Sequence, residues 1–114
     1  RSLQAAQKAD VVVTVHGQLN QKEEFVMVGG LNESLRSEIA SQLEGVGFRT
    51  RPPAKGLMGS DPMNICNRGK LRQGVQLEIS RKIRDVLKHD KDYLKLFSEA
   101  VRRGIQHYLS GQQD

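Results

Sequence analysis

The chain has 114 residues and a formal charge of +5, which suits one domain around one core and favours an anionic partner such as an acidic polymer, a nucleic acid or an acidic membrane surface. Hydrophobic residues make up 37% and aromatic residues 4%, so the core must be mainly aliphatic. A single cysteine, Cys66, excludes an internal disulfide framework, and no apolar run approaches the ~20 residues of a membrane span.

In chain order, Ser2–Ala9 reads as the end of a helix rich in Ala, Gln and Lys. A start at Arg1, directly in such a segment, looks like a cut end, so further residues are expected upstream. No signal-peptide pattern is visible, which is compatible with a cytoplasmic protein or one released on lysis and leaves the location open. Val11–Val15 is a β-branched run bounded by polar residues, the pattern of a strand buried on both faces of a parallel sheet, and it ends by presenting His16. Gly17–Glu23 is a polar loop, and Glu24–Val28 a second strand broken by Gly29 and Gly30. Asn32 is a candidate N-cap for a helix that carries Leu35, Ile39 and Leu43 on one stripe and ends at Gly45 and Gly47.

Phe48–Arg51 reads as a short strand stopped by Pro52 and Pro53. Ala54–Gln73 is irregular, and a loop of that length in a compact domain is functional or disordered. Its Leu57, Met58, Met63 and Ile65 argue against disorder. Gly74–Ser80 is a strand with Val75, Leu77 and Ile79 on one face and Gln76, Glu78 and Ser80 on the other. Ser80 is expected to cap a helix over Arg81–Lys88 with Ile83 and Leu87 inward. After a polar break at His89–Asp92, a last helix shows an apolar face of Leu94, Phe97, Val101, Ile105, Tyr108 and Leu109. No internal repeat is visible, and the alternation of strands and helices predicts a single α/β domain over 1–114, with a mixed, mainly parallel sheet flanked by helices.

Two strands therefore end on a chemically capable residue, His16 and Glu78, and strand ends are where α/β sheets bind ligands. His16 could ligate zinc through one ring nitrogen, or be a lone surface histidine. Glu78 could be a partly desolvated general base, or a carboxylate on a wet sheet face. The stretch Asp61–Gly69 brings Asn64, Asn67 and Arg68 into a Gly-flanked loop, where they could grip a carboxylate or simply shape turns. Cys66, flanked by Ile65 and Asn67, reads as a buried structural thiol. Arg81, Lys82, Arg84 and Lys88 form one basic cluster and Arg102–Arg103 another; solvated helix faces are the simplest reading, since nucleic-acid readout has only charge in its favour. His89 and His107 read as surface residues.

The ordered set VVVTVHG (Val11–Gly17), VGGLNESLRSEIASQLEGVGF (Val28–Phe48), GSDPMNICNRG (Gly59–Gly69) and GVQLEISRKIR (Gly74–Arg84) resembles the poly-γ-glutamate hydrolase family, zinc peptidases of carboxypeptidase-like fold from phages and bacteria. The resemblance implies that His16 is a zinc ligand and that Glu78 activates the zinc-bound water to cleave γ-glutamyl bonds. It implies that Asn64, Asn67, Arg68 and Arg81 face the carboxylates of an acidic polymer substrate, poly-γ-glutamate. In that family a further His and Glu come from an upstream His-Gly-Gly-type motif. No such motif occurs in these 114 residues, so the remaining ligands are expected from an N-terminal segment outside this chain, of which this would be the C-terminal portion. The competing readings are an inactive homologue, whose His16 and Glu78 would lie far apart or point into different environments, and a non-catalytic module binding a polyanion or nucleic acid. No membrane partner is expected.

Overall fold

The computed structural model describes residues 9–17, 22–53 and 61–112. The helix expected over Ser2–Ala9, except Ala9 itself, and the loop residues Leu57 and Met58 lie outside the described residues. Among the described residues four strands, β1 (Val13–Gly17), β2 (Val26–Gly29), β3 (Thr50–Arg51) and β4 (Val75–Ile79), form one sheet in the order β1-β4-β2-β3. Among the described residues three helices accompany it: α1 (Glu33–Gly45), α2 (Arg81–His89) and α3 (Lys91–Gln112). A short 3-10 turn spans Ile65–Asn67. β1 pairs with β4 and β2 with β3 in parallel, while β2 and β4 run antiparallel. The sheet is thus mixed and mainly parallel, as its sequence pattern predicts.

The register sorts the residues into two faces. Val15, Leu77 and Val28 are successive partners across β1, β4 and β2. Val26, Val28, Val75, Leu77 and Ile79 join Leu35, Ile39 and Leu43 of α1, Ile83 and Leu87 of α2, and Phe97, Ala100 and Tyr108 of α3 in one buried cluster. Phe48 completes it, its ring centroid 5.0 Å from that of Tyr93 and 5.4 Å from that of Phe97. The other face carries the row His16, Glu78, Met27 and Arg51, again partners strand by strand.

The N-cap expectation for Asn32 holds, and the residue does more. Its Oδ1 accepts from the Leu35 N–H (3.1 Å) and its Nδ2 donates to the Tyr108 hydroxyl (3.0 Å), so the start of α1 is pinned to the end of α3. α1 ends at Gly45, and Gly47 turns the chain with φ of 100°, a left-handed conformation that suits glycine.

Four expectations need correction. The valine run is not buried on both faces: β1 is the outer strand among the described residues, Val13 is half-buried and Val15 is 56% exposed, because β4 alone covers it. Ser80 sits ahead of α2, but its hydroxyl makes no cap bond; it accepts from the buried Phe25 N–H (3.1 Å), extending the β2–β4 pairing. The break between the last two helices is Asp90 alone, whose Oδ1 accepts from the N–H groups of Asp92 and Tyr93 at 3.0 and 3.1 Å and so caps α3. Leu94 and Leu109 are exposed; Phe97, Ala100, Gly104 and Tyr108 form the buried stripe of that helix. Among the described residues no helix is long and apolar enough to cross a membrane.

Candidate active site at the carboxyl end of β1 and β4

His16 and Glu78 are direct register partners in the parallel β1–β4 pair. Residues so paired project from the same face, with their strands about 4.8 Å apart. His16 is exposed and Glu78 half-buried. The two residues are thus neighbours across the strand pair, though they differ in exposure.

A polar chain leads into Glu78. Asn64 Nδ2 donates to Gln76 Oε1 (3.0 Å), and Gln76 Nε2 donates to Glu78 Oε2 (3.3 Å). Gln76 is buried, so both ends of its amide are held where water reaches them poorly. Asn64 Oδ1 meanwhile accepts from the Cys66 N–H (3.0 Å) and starts the 3-10 turn. The sequence places Gln76 on the same strand face as Glu78, two residues before it, but its link to Asn64 shows only in the fold.

Asn67 is buried, and its amide holds the loop together. Its Oδ1 accepts from Leu31 and Gly74 N–H groups at 3.3 and 3.0 Å, and its Nδ2 donates to the Asp61 carbonyl at 2.9 Å. That engagement leaves its side chain turned to the protein rather than to a polymer in solution, contrary to the sequence expectation. Arg68 is half-buried just after the turn and Arg81 is exposed at the start of α2. Cys66 is fully buried, as expected, and burial pushes its thiol up to about 11, outweighing its backbone hydrogen bond. His89 and His107 are exposed, His107 lying 3.5 Å from Glu38.

Arg84 behaves unlike the other basic residues. A Cβ at Gly17 would lie 2.7 Å from Arg84 Cζ and 3.1 Å from its Nε, so the guanidinium rests on the Gly17 backbone, one residue past His16. Among the described residues no group of three His, Cys, Asp or Glu side chains is arranged to hold a metal ion. Two surface clefts, of about 300 Å³ beside Arg36 and Arg51 and about 370 Å³ beside Phe48 and Tyr93, are lined by neither His16 nor Glu78.

The sequence model of the poly-gamma-glutamate hydrolase family matches residues 1–109. The chain belongs to that family. Its fold is similar to the solved structure of a bacteriophage poly-gamma-glutamate hydrolase, with a TM-score of 0.86 and 28% identity over 96% of this chain. It is also similar in fold to YNDL in a zinc-free apo form, with a TM-score of 0.80 and 20% identity over 93% of this chain. The chain spans 58% of the length of each of these structures. No curated protein matches it.

Proposed function

We propose that this chain carries part of the active site of a zinc-dependent hydrolase that cleaves γ-glutamyl bonds in poly-γ-glutamate. The observation that carries the reading is the in-register pairing of His16 with Glu78 at the carboxyl end of β1 and β4, in a chain of this family. The donor set tests the metal. An exposed imidazole suits one zinc ligand, but catalytic zinc takes three protein ligands, and the described residues offer no such group. They fit one corner of a site, whose other ligands would come from outside the described residues. When bound there, zinc would supply Lewis-acid polarisation of the scissile carbonyl and a more acidic water.

The roles of the chain's own residues follow from chemistry. Glu78, oriented by the Gln76 amide at 3.3 Å, takes the proton of the attacking water and delivers it to the leaving amine. Asn64 steadies Gln76, and Asn67 holds the loop in which Asn64 sits, so both act as positioning residues. Arg68 and Arg81 offer guanidinium groups to the free carboxylates of the polymer. The net charge of +5 assists capture of a polyanion.

The test is polymer shortening, followed by size-exclusion chromatography, with zinc present. In a protein that carries this chain together with the remaining zinc ligands, poly-γ-glutamate but not α-linked polyglutamate is expected to be shortened, and Glu78→Gln to slow it by about 10²-fold or more at unchanged thermal stability. Equal rates with and without Glu78→Gln in that protein, or no cleavage by it, would overturn the reading.

A further inference from the structure

The geometry points to Arg84 as a carboxylate-recognition residue, a built anion site at the edge of the His16–Glu78 pair. The inference rests on the hydrolase reading for its substrate class: the free α-carboxylate of a γ-linked glutamyl residue next to the scissile bond.

Three observations carry it. The first is position. Gly17 follows His16 on β1 and pairs with Ile79, which follows Glu78 on β4. The guanidinium packs on Gly17, the residue after His16, on the face opposite to the one that His16 and Glu78 share. Gly17 ends β1 at the carboxyl edge of the parallel pair, the edge where ligands of such pairs lie, and the guanidinium reaches that end from the helix-covered side.

The second is lack of a partner. Arg84 Nε is buried with no hydrogen bond. Among the described residues the ion pairs join Arg51 to Glu23, Lys70 to Asp10, Lys95 to Glu99 and His107 to Glu38, and none involves Arg84. Asp85 is adjacent in sequence, but neighbours at i and i+1 do not face each other on a helix. Outside the described residues, the sequence holds no carboxylate side chain except Asp114. A partly desolvated guanidinium without an acceptor is unfavourable. An incoming carboxylate would supply two acceptors in the geometry that Arg matches.

The third is the glycine. A Cβ at position 17 would meet the end of the Arg84 side chain, so any other residue there would push the guanidinium aside. The Arg84 backbone N–H bonds to the Ser80 carbonyl at 3.0 Å in the first turn of α2, so the side chain starts from a fixed point directly after β4. Arg102, exposed on α3, has no such setting and serves as a charge control.

The test is binding of a fluorescein-labelled γ-glutamate oligomer, read by fluorescence anisotropy at low salt on the full chain. Arg84→Met is expected to weaken binding about tenfold, the loss of a charged hydrogen bond. Gly17→Ala, which changes no charge but displaces the guanidinium, is expected to weaken it comparably. Arg84→Lys should fall between, and Arg102→Met should change affinity less than twofold. Equal losses for Arg84→Met and Arg102→Met would overturn the proposal, as would wild-type affinity in a folded Gly17→Ala or no binding by the wild type. Arg84-dependent binding by this chain, with no polymer cleavage by a protein that carries it together with the remaining zinc ligands, would support the anion site and sink the hydrolase reading, so the two failures are distinguishable.

Discussion

Single side chains here join elements that lie far apart in the chain. Asn32 caps α1 and holds Tyr108 of α3 with one amide, and Asn67 ties Leu31, Asp61 and Gly74. Residue type announced the first but not the second, because a buried asparagine and a ligand-facing one have the same letter, and only the fold says which way the amide turns. Cys66 gives a prediction at this scale. Its buried thiol stays protonated to about 11, whereas in the unfolded chain it ionises around 9.0. The raised value favours the folded state fully below about pH 9, and that contribution is lost as pH rises towards 11. In urea titrations, wild type should therefore lose stability between pH 9 and 11 more steeply than Cys66→Ala. Parallel pH profiles would rule this out.

Most elements were legible because their apolar spacing is regular. The stripe Leu35, Ile39 and Leu43 and the alternation through Val75, Leu77 and Ile79 both read correctly, and all six residues are buried. The order of the strands was not legible. β4 inserts between β1 and β2, and nothing local to either strand announces that the β2 contact is antiparallel. The exposure of β1 was hidden for a related reason, since a run of valines looks the same at an edge as in the middle. In α3 the periodicity was right but shifted in phase, because the buried stripe runs through the small residues Ala100 and Gly104 instead of Leu94 and Leu109. That choice has a measurable consequence. A Cβ at Gly104 would lie 2.7 Å from Ile39 Cα and 2.9 Å from its N, so α3 crosses α1 at backbone contact. Gly104→Ala, which would favour an isolated helix by about 1 kcal/mol, is expected to destabilise the protein by about 1–3 kcal/mol through overpacking. A raised melting temperature would refute the close crossing.

Across the whole molecule, the division of labour follows the two faces of the sheet. The helices cover the aliphatic face, and the row His16, Glu78, Met27 and Arg51 occupies the other. The candidate pair was legible as two strand ends, but its assembly was not, because register is a property of the folded sheet. The supporting groups, Gln76 and Arg84, were overlooked because a glutamine inside a strand and an arginine in a basic cluster look unremarkable until their contacts are known. Membership of the poly-gamma-glutamate hydrolase family and the fold shared with a phage hydrolase give this face a chemical meaning. The most direct measurement is a double-mutant cycle on poly-γ-glutamate cleavage with zinc present, in a protein that carries this chain together with the remaining zinc ligands, comparing wild type, His16→Ala, Glu78→Gln and the double variant. If the two residues serve one site, each single variant should lose about 10²-fold or more and the double variant should be little worse than the weaker single. Wild-type rates in either single variant, or losses that multiply in the double, would contradict a shared site at His16 and Glu78.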